Sequence, residues 1–397
     1  MKGFKLFPDI SYSDLKDLGA LNTGQEIAGQ PELWLKTFQF LTIVKDELRR
    51  FLDPLFQKPG LQILFTGAGT SAFIGEVLQG VFQKNLGLVS RAVATTDIVT
   101  HPEYYFLRQT PTLLISFARS GNSPESIKTV ELANEFCDDI HHLIITCNAN
   151  GHLAQKANPA NSFVFLLPPE ANDQSLAMTG SFTSMLLSGL LISRLDELHL
   201  LEGTVETLAD YGHKVLSQYA LPIKQAAQLP FKRAVFLGSG IFQGVARESH
   251  LKLQELTDGK VICKFDTFLG FRHGPKAVID SETLMVYIFS NRRYPQLYEM
   301  DLVKSIYRGQ KGIFGIAISE SELPGIKPEL KIILNENHTS LGEEFLTVVS
   351  VLPAQMLGFY KSLFFDLEPD QPSVSGAISR VVQGVKLYPY EQKLEKA

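Results

Sequence analysis

The chain has 397 residues, of which 45% are hydrophobic and 20% charged, so it can bury two cores of about 150 to 200 residues each. Its net charge of −5 argues against a nucleic-acid partner. No apolar run reaches the roughly 18 to 20 residues that cross a bilayer, and the start of the sequence lacks a secretory signal. We therefore expect a soluble, globular, cytoplasmic protein without a membrane partner.

The predicted elements form two similar halves. A helical segment over residues 1–55 comes first. In 56–198 and again in 223–365, apolar runs alternate with helix-like stretches, and a helical connector over 199–222 separates them. Residues 366–397 form a C-terminal tail. This alternation is typical of parallel sheets covered on both faces, so the predicted fold class is α/β, with two doubly wound, flavodoxin-like three-layer αβα domains in tandem.

The two halves also resemble each other in sequence. The stretch FTGAGTSAFIGEVLQ corresponds to FLGSGIFQGVARESHLK about 170 residues later, which suggests duplication. Strands are expected near 61–66, 112–117, 142–147 and 163–167 in the first half, and near 233–237, 261–265, 283–289 and 312–318 in the second. Helices are expected near 71–86, 123–136 and 181–197 in the first half.

A turn rich in hydroxyl groups follows the second predicted strand of the first half. The stretch LLISFARSGNSPES places Ser120, Gly121 and Ser123 between an apolar run and the start of a helix. Free N–H groups at a helix N-terminus carry partial positive charge, and neighbouring hydroxyl groups can donate hydrogen bonds to phosphate oxygens. An upstream turn in LQILFTGAGTSAFIG adds Gly69 and Ser71. Together, the two turns predict a cradle for one phosphomonoester.

The second half carries ionisable groups instead. In GVARESHLKLQELTDGK, Glu248, Lys252 and Glu255 have the spacing i, i+4, i+7 and share one helical face. An exposed salt-bridge face would have the same spacing. However, the helix follows a Gly-Ser-Gly turn, which places its start near the carboxyl ends of the strands, where open α/β sheets bind ligands. His273, in the loop GFRHGP, is a second candidate for proton transfer.

These motifs make the chain resemble the SIS (sugar isomerase) superfamily, with two SIS domains in tandem over roughly residues 55 to 390. The sequence is similar to the isomerase half of glucosamine-6-phosphate synthase. It is closer still to the galactosamine-6-phosphate deaminase/tagatose-6-phosphate ketose-aldose isomerase group, on the basis of ELTDGK, FRHGP and the tail DQPSVSGAISRVVQGVKLYPY.

The resemblance implies roles for individual positions. The implied substrate-binding residues are Gly69, Thr70, Ser71, Arg119, Ser120, Gly121, Asn122, Ser123, Thr179, Ser181, Glu248, Lys252 and Arg380. Glu255 matches the carboxylate that moves a proton between C1 and C2 of the open-chain sugar. His273 matches a ring-opening histidine that the neighbouring subunit contributes. Arg380 stands where the synthase has a lysine, and because a guanidinium stays protonated we expect it to clamp anions rather than form a Schiff base.

The implied activity is that of an amino-sugar-phosphate deaminase/isomerase. It converts galactosamine 6-phosphate, or glucosamine 6-phosphate, to the ketose 6-phosphate and ammonia, and it requires neither a cofactor nor a metal. A site that borrows a histidine from a neighbour also implies a homodimer or larger assembly, with active sites at the subunit interface.

Three alternatives stay open. The first is a tagatose-6-phosphate ketose/aldose isomerase without deamination, and the second is a non-catalytic sensor of sugar phosphates. The third is a dinucleotide-dependent oxidoreductase, because GAGTSA fits a GxGxxA fingerprint and Asp97 follows it as a candidate ribose ligand. The second hydroxyl-rich turn argues against the oxidoreductase, and the presence of both Glu255 and His273 argues against the sensor.

Overall fold

Two five-stranded parallel sheets form the centre of the computed structural model, which describes residues 10–335, 340–382 and 384–390. The strands are β1 (Gln62–Thr66), β2 (Val89–Ala92), β3 (Thr112–Ala118), β4 (Ile140–Thr146), β5 (Ser162–Leu166), β6 (Arg233–Gly238), β7 (Ile262–Asp266), β8 (Thr283–Ile288), β9 (Phe314–Ser319) and β10 (Leu330–Ile333). We call β1 to β5, with their connecting helices, the first module, and β6 to β10, with theirs, the second module.

Helices cover both sheets and join them. They are α1 (Tyr12–Asp17), α2 (Leu21–Ala28), α3 (Gln30–Phe56), α4 (Thr70–Leu86), α5 (Thr95–Thr100), α6 (Pro124–Phe136), α7 (His152–Gln155), α8 (Gly180–Ile192), α9 (Glu202–Gln218), α10 (Ala220–Ala227), α11 (Phe242–Leu256), α12 (Arg293–Arg308), α13 (Glu343–Val349) and α14 (Leu352–Phe364). Among the residues described, no helix has the length and apolarity that crossing a membrane requires.

Both sheets have the same topology. The first has the order β2-β1-β3-β4-β5, and the second has the corresponding order β7-β6-β8-β9-β10. This is the flavodoxin-like order, whose switch points lie between β1 and β3 and between β6 and β8. Because both faces are covered, β1, β3 and β8 are buried at every position, which is why they are apolar runs in the sequence. The predicted fold class is confirmed.

An offset of 171 residues relates the central strands β1 and β3, and α4, to their equivalents β6, β8 and α11 in the second module. Thr112 and Thr283 begin equivalent strands, and Gly69 and Gly240 occupy equivalent turns with φ of +57° and +59°. The positive φ at these turns favours glycine, because other residues rarely adopt a left-handed conformation. The offset supports the predicted duplication.

The two modules pack on each other through α4 and α11, which are equivalent helices. Gly244 allows this close approach, since a Cβ there would lie 2.7 Å from Val77 Cγ2 and 3.0 Å from the carbonyl oxygen of Phe73. An ion pair joins Glu76 of α4 to Arg247 of α11. One continuous cluster of buried apolar residues runs through both modules and the N-terminal helices.

The predicted strands are confirmed, and two further strands were missed. β2 and β10 are edge strands of four residues each, the shortest strands described, so neither gives an apolar run long enough to be recognised. The predicted helix near 181–197 ends earlier, at Ile192, and a 3-10 turn over Leu195–Leu200 follows. The predicted segments 1–55 and 366–397 extend in part outside the described residues.

Candidate active site

A cavity of about 520 Å³ opens at the carboxyl ends of β1 and β3, the switch point of the first sheet. Both modules contribute to it. Its lining includes Gly69, Thr70, Ser71, Arg119, Ser120, Ser123, Ser126, Leu176, Met178, Lys252, Glu255 and the tail segment 376–382. Open α/β sheets bind ligands at such a crevice, so this cavity is the candidate active site.

Hydroxyl groups form one side of the cavity. Ser123 immediately precedes α6, and the Ser120 hydroxyl accepts a hydrogen bond from the backbone N–H of Asn122 at 3.2 Å. Ser71 lies in the first turn of α4, and the sequence analysis missed Ser126, in the first turn of α6. The two helix N-termini and four hydroxyl groups give this side the donors that a phosphate needs.

Gly121 and Asn122 shape the serine turn without lining the cavity. Gly121 has φ of +67° and packs closely on Gly151, whose Cα would lie 3.4 Å from an added Cβ. Asn122 accepts a hydrogen bond from the backbone N–H of His152 at 2.9 Å through its Oδ1. The structure therefore gives both residues a positioning role.

Ionisable groups of α11 form the opposite side. Lys252 is fully buried, and its Nζ donates hydrogen bonds to Glu255 Oε2 at 2.6 Å and to Thr70 Oγ1 at 3.1 Å. It also lies 3.3 Å from Glu248 Oε1. The Glu255 side chain is 23% exposed and lines the cavity, whereas Glu248 lies behind it. The helical face predicted from i, i+4, i+7 spacing is therefore buried, and it points one carboxylate at the cavity.

Burial sets the charges of this cluster. It raises the pKa of Glu248 to about 8, although the nearby Lys252 ammonium partly offsets the effect. Burial alone would lower the pKa of Lys252, but the two carboxylates keep it above its ordinary value. Lys252 is therefore charged near neutral pH, and its ammonium group is held by hydrogen bonds to Glu255 and Thr70.

Two arginines hold the C-terminal tail segment against the cavity. Arg119 donates hydrogen bonds to the carbonyl oxygens of Ser175 and Leu176 and, at 2.5 Å, to that of Arg380. Arg380 in turn donates to the carbonyl oxygen of Asp173 through Nε at 2.9 Å. Both guanidinium groups line the cavity, but both are engaged by the protein's own carbonyl groups.

The structure does not bring Thr179 and Ser181 into the cavity lining. Both are fully buried and bind the carboxylate of Asp173, which the sequence analysis missed. The Thr179 backbone N–H donates to Asp173 Oδ2 at 2.8 Å, and the Ser181 hydroxyl donates to the same oxygen at 2.5 Å. Their hydroxyl groups hold the loop before α8, from which Met178 reaches the cavity.

His273 is also absent from the cavity of its own chain. It lies exposed after a 3-10 turn over Gly270–Arg272, where its backbone N–H donates to the carbonyl oxygen of Gly270 at 3.0 Å. The site within one chain therefore contains the hydroxyl groups and Glu255, but not the histidine.

A glutamate of the N-terminal helices supports the loop beside the cavity, and no motif in the sequence marked it. Glu26 of α2 accepts hydrogen bonds from the backbone N–H groups of Gln174 and Ser175, at 2.5 and 3.1 Å, and from the Ser175 hydroxyl. Burial, reinforced by the nearby Asp173 carboxylate, raises the pKa of Glu26 to about 7.

We expect Glu26 to make the stability of the protein depend on pH. Its pKa is higher in the folded chain than the ordinary 4.5, so its contribution to the free energy of unfolding is complete below pH 4.5 and is lost as the pH rises through 7. In Glu26→Gln, the fall in the free energy of unfolding over this pH range should be smaller than in wild type by about 2 to 3 kcal/mol. Urea unfolding of both proteins between pH 5 and pH 8 measures it. Glu47→Gln, at an exposed position of α3, is the control, and identical pH profiles for wild type and Glu26→Gln would refute the assignment.

Comparison with known proteins places the chain in a family. The SIS domain family matches residues 55–193. D-galactosamine-6-phosphate deaminase AgaS of Shewanella sp. (strain ANA-3) is 39% identical over 96% of this chain and 95% of its own length. The structure of tagatose-6-phosphate ketose/aldose isomerase from Escherichia coli is 37% identical and has a TM-score of 0.86, covering 93% of this chain and 97% of that one.

A third relative agrees with these two. A provisionally assigned tagatose-6-phosphate ketose/aldose isomerase from Clostridium novyi NT is 44% identical, with a TM-score of 0.94 over 98% of this chain and 100% of that one. Similarity at this level extends across both modules, well beyond the part that the SIS domain family matches. The chain therefore belongs to the SIS-domain family of D-galactosamine-6-phosphate deaminase AgaS.

Proposed function

We propose that this protein is an amino-sugar-phosphate deaminase/isomerase that converts galactosamine 6-phosphate, or glucosamine 6-phosphate, to the ketose 6-phosphate and ammonia. One observation carries the proposal. Ser120 and Ser123 of the first module and Glu255 of the second line the same cavity. A phosphate cradle and a carboxylate base therefore face one volume, as an enzyme acting on a phosphorylated sugar needs.

The cradle orients the substrate. The phosphate ester accepts hydrogen bonds from Ser71, Ser120 and Ser123 and from N–H groups at the starts of α4 and α6. The open chain of the sugar then extends towards α11. Lys252, fixed at 2.6 Å from Glu255, holds that carboxylate in position.

The reaction proceeds by proton transfer between adjacent carbons. Glu255 removes the proton on C2 of the open-chain amino aldose and returns it to C1. The amino nitrogen loses a second proton, and O1 gains one, so the C1 aldehyde becomes a primary alcohol and C2 becomes an imine. Water adds to C2, the C–N bond breaks and ammonia leaves, which gives the ketose 6-phosphate. The overall step is hydrolytic and consumes one water molecule for each ammonia released.

The same proton transfer on a 2-hydroxy sugar gives aldose-ketose isomerisation, the activity for which the Escherichia coli structural relative is named. Incubation with galactosamine 6-phosphate, glucosamine 6-phosphate and tagatose 6-phosphate separates the alternatives. Ammonia release from either amino sugar supports the deaminase, and interconversion of tagatose 6-phosphate without ammonia release supports the simple isomerase. Binding without turnover of any of the three would indicate a sensor. We infer a cytoplasmic location because charged sugar phosphates do not diffuse across membranes.

We further propose that a second copy of the chain completes each site with its His273. The histidine is exposed, and it is absent from the cavity of its own chain. The proposed assembly is a symmetric dimer or a larger oligomer in which an imidazole opens the sugar ring at a neighbour's cavity.

Mixing two inactive variants tests this arrangement. Glu255→Gln and His273→Asn should each have low activity alone on the cyclic substrate. A random mixture of exchanged subunits should regain about a quarter of wild-type turnover, because half of the dimers are mixed and each mixed dimer has one intact site. Ammonia release measures the recovery.

The control mixture is Glu255→Gln with the double variant Ser120→Ala and Ser123→Ala. All of these changes affect the cavity of the chain that carries them, so no mixed dimer has an intact site and no recovery is expected. Failure of the first mixture to recover, with subunit exchange verified by differently tagged chains, would rule out the shared site. An active monomer in sedimentation would do the same.

A further inference from the structure

A second cavity, of about 670 Å³, opens at the switch point of the second sheet. The turn Ser239–Ile241 after β6 forms one side, and Tyr294 and Tyr298 of α12 form another. Gly80 and Lys84 of α4, from the first module, close it. In the first sheet, the same place is the candidate active site, and α11 of the other module closes that cavity in the same way.

The 171-residue offset shows how the two cavities differ. Ser123 corresponds to Tyr294, so the second cavity lacks the serine at the helix start. Glu255 corresponds to Lys84, so the second cavity also lacks the base. The architecture of a ligand site is therefore kept, but the groups that suit a phosphate ester and its proton transfer are replaced.

A buried carboxyl group in this cavity lacks a partner. Glu299 of α12 lines the cavity but is only 1% exposed. Its Oε2 accepts a hydrogen bond from the backbone N–H of Ser290 at 3.1 Å, whereas its Oε1 has no hydrogen-bond partner among the residues described. Burial raises the pKa of Glu299 to about 8. Since buried polar atoms normally have partners, Oε1 is available to a ligand that brings a hydrogen-bond donor.

The walls indicate which kind of ligand fits. The rings of Tyr294 and Tyr298 pack edge to face, with centroids 5.3 Å apart, and both side chains are exposed. Such aromatic walls pack well against the apolar face of a hydroxylated ring. The buried Glu299 carboxyl group is neutral near pH 7, so the other two glutamates of the lining, Glu343 and Glu344, balance its two basic residues, Lys84 and Arg292. The lining therefore has no excess of positive charge to hold a phosphate, and the unpartnered Glu299 Oε1 favours a ligand that carries an ammonium donor.

We propose that the second cavity binds an unphosphorylated amino sugar, with its ammonium group on Glu299 and its ring against Tyr294 and Tyr298. The two cavities share no lining residue, so this site does not depend on the proposed catalytic function. Binding of the ammonium ionises Glu299, so the proton of the neutral carboxyl group passes to solvent.

Calorimetric titration with galactosamine near pH 7 tests the proposal. Wild type should bind it and release close to one proton, seen by comparing buffers with different ionisation enthalpies. Glu299→Gln, which keeps the shape of the side chain, should weaken binding by about tenfold or more and abolish proton release. Tyr298→Ala should also weaken binding, and because that side chain is 42% exposed its removal should leave the fold intact.

Two controls make the result decisive. Glu255→Gln should leave galactosamine binding unchanged, and Glu299→Gln should leave the turnover of galactosamine 6-phosphate unchanged. The proposal is overturned if galactosamine does not bind, if Glu255→Gln rather than Glu299→Gln weakens its binding, or if a nucleoside or inorganic phosphate binds at Glu299 in its place. It is also overturned if Tyr298→Ala changes the oligomeric state while galactosamine binding stays as in wild type.

Discussion

Glu255→Gln should lower kcat for ammonia release by about 10²- to 10⁴-fold, the range that a positioned general base contributes. Glutamine keeps the shape of the side chain and can still accept a hydrogen bond from Lys252 Nζ, which lies 2.6 Å from Glu255 Oε2. It cannot accept the C2 proton. Substrate binding should therefore persist while chemistry stops.

Ammonia release from galactosamine 6-phosphate, followed over time, measures kcat. Calorimetry measures substrate binding to the inactive variant. Glu131→Gln, an exposed glutamate of α6, controls for the loss of a carboxylate elsewhere. If Glu255→Gln retained kcat within a few-fold of wild type, another group would have to be the base.

The double variant Ser120→Ala, Ser123→Ala should lose about 10²- to 10⁴-fold in kcat/KM, because each hydrogen bond to a charged group contributes about 1.5 to 3 kcal/mol. Most of the loss should be a higher KM, since the phosphate group does not react and is held equally in the ground and transition states. The Ser123 hydroxyl makes no capping hydrogen bond to α6, so the fold should tolerate its loss.

Comparing the phosphorylated and unphosphorylated sugars shows whether the two serines bind the phosphate group. Steady-state kinetics should show the full effect on galactosamine 6-phosphate, whereas any slow turnover of unphosphorylated galactosamine should be unaffected. Ser217→Ala, in an exposed position of α9, provides a matched hydroxyl deletion. A KM for the phosphorylated sugar equal to that of wild type would place the phosphate elsewhere.

Much of the site could be predicted because its residues follow regular elements. Ser71 and Ser123 lie at the starts of the helices that follow buried strands β1 and β3, and these parallel strands end at the same edge of the sheet. Helical spacing likewise placed Lys252 and Glu255 on one face. The fold class followed from the same alternation of apolar runs and helices.

Other features could not be predicted, because tertiary contacts decide them. The sequence MTGSFTS has the hydroxyl and glycine content of a ligand loop, yet Thr179 and Ser181 bind the buried Asp173 carboxylate. Nothing in the sequence near Glu26 indicates that it supports a loop almost 150 residues away. The spacing of Glu248 also gives no sign that it is more deeply buried than Glu255.

The contact between α4 and α11 records how the two modules came together. Glu76 and Arg247, which form an ion pair, are equivalent positions of the two modules, and so are Phe73 and Gly244, which also touch. Each pair is what an ancestral single module would have placed against itself across a two-fold axis. A self-contact between two glutamates repels, and two facing phenylalanines would crowd. Duplication lets the two sides mutate separately into complementary partners, and in this protein one chain carries both sides of the asymmetric contact.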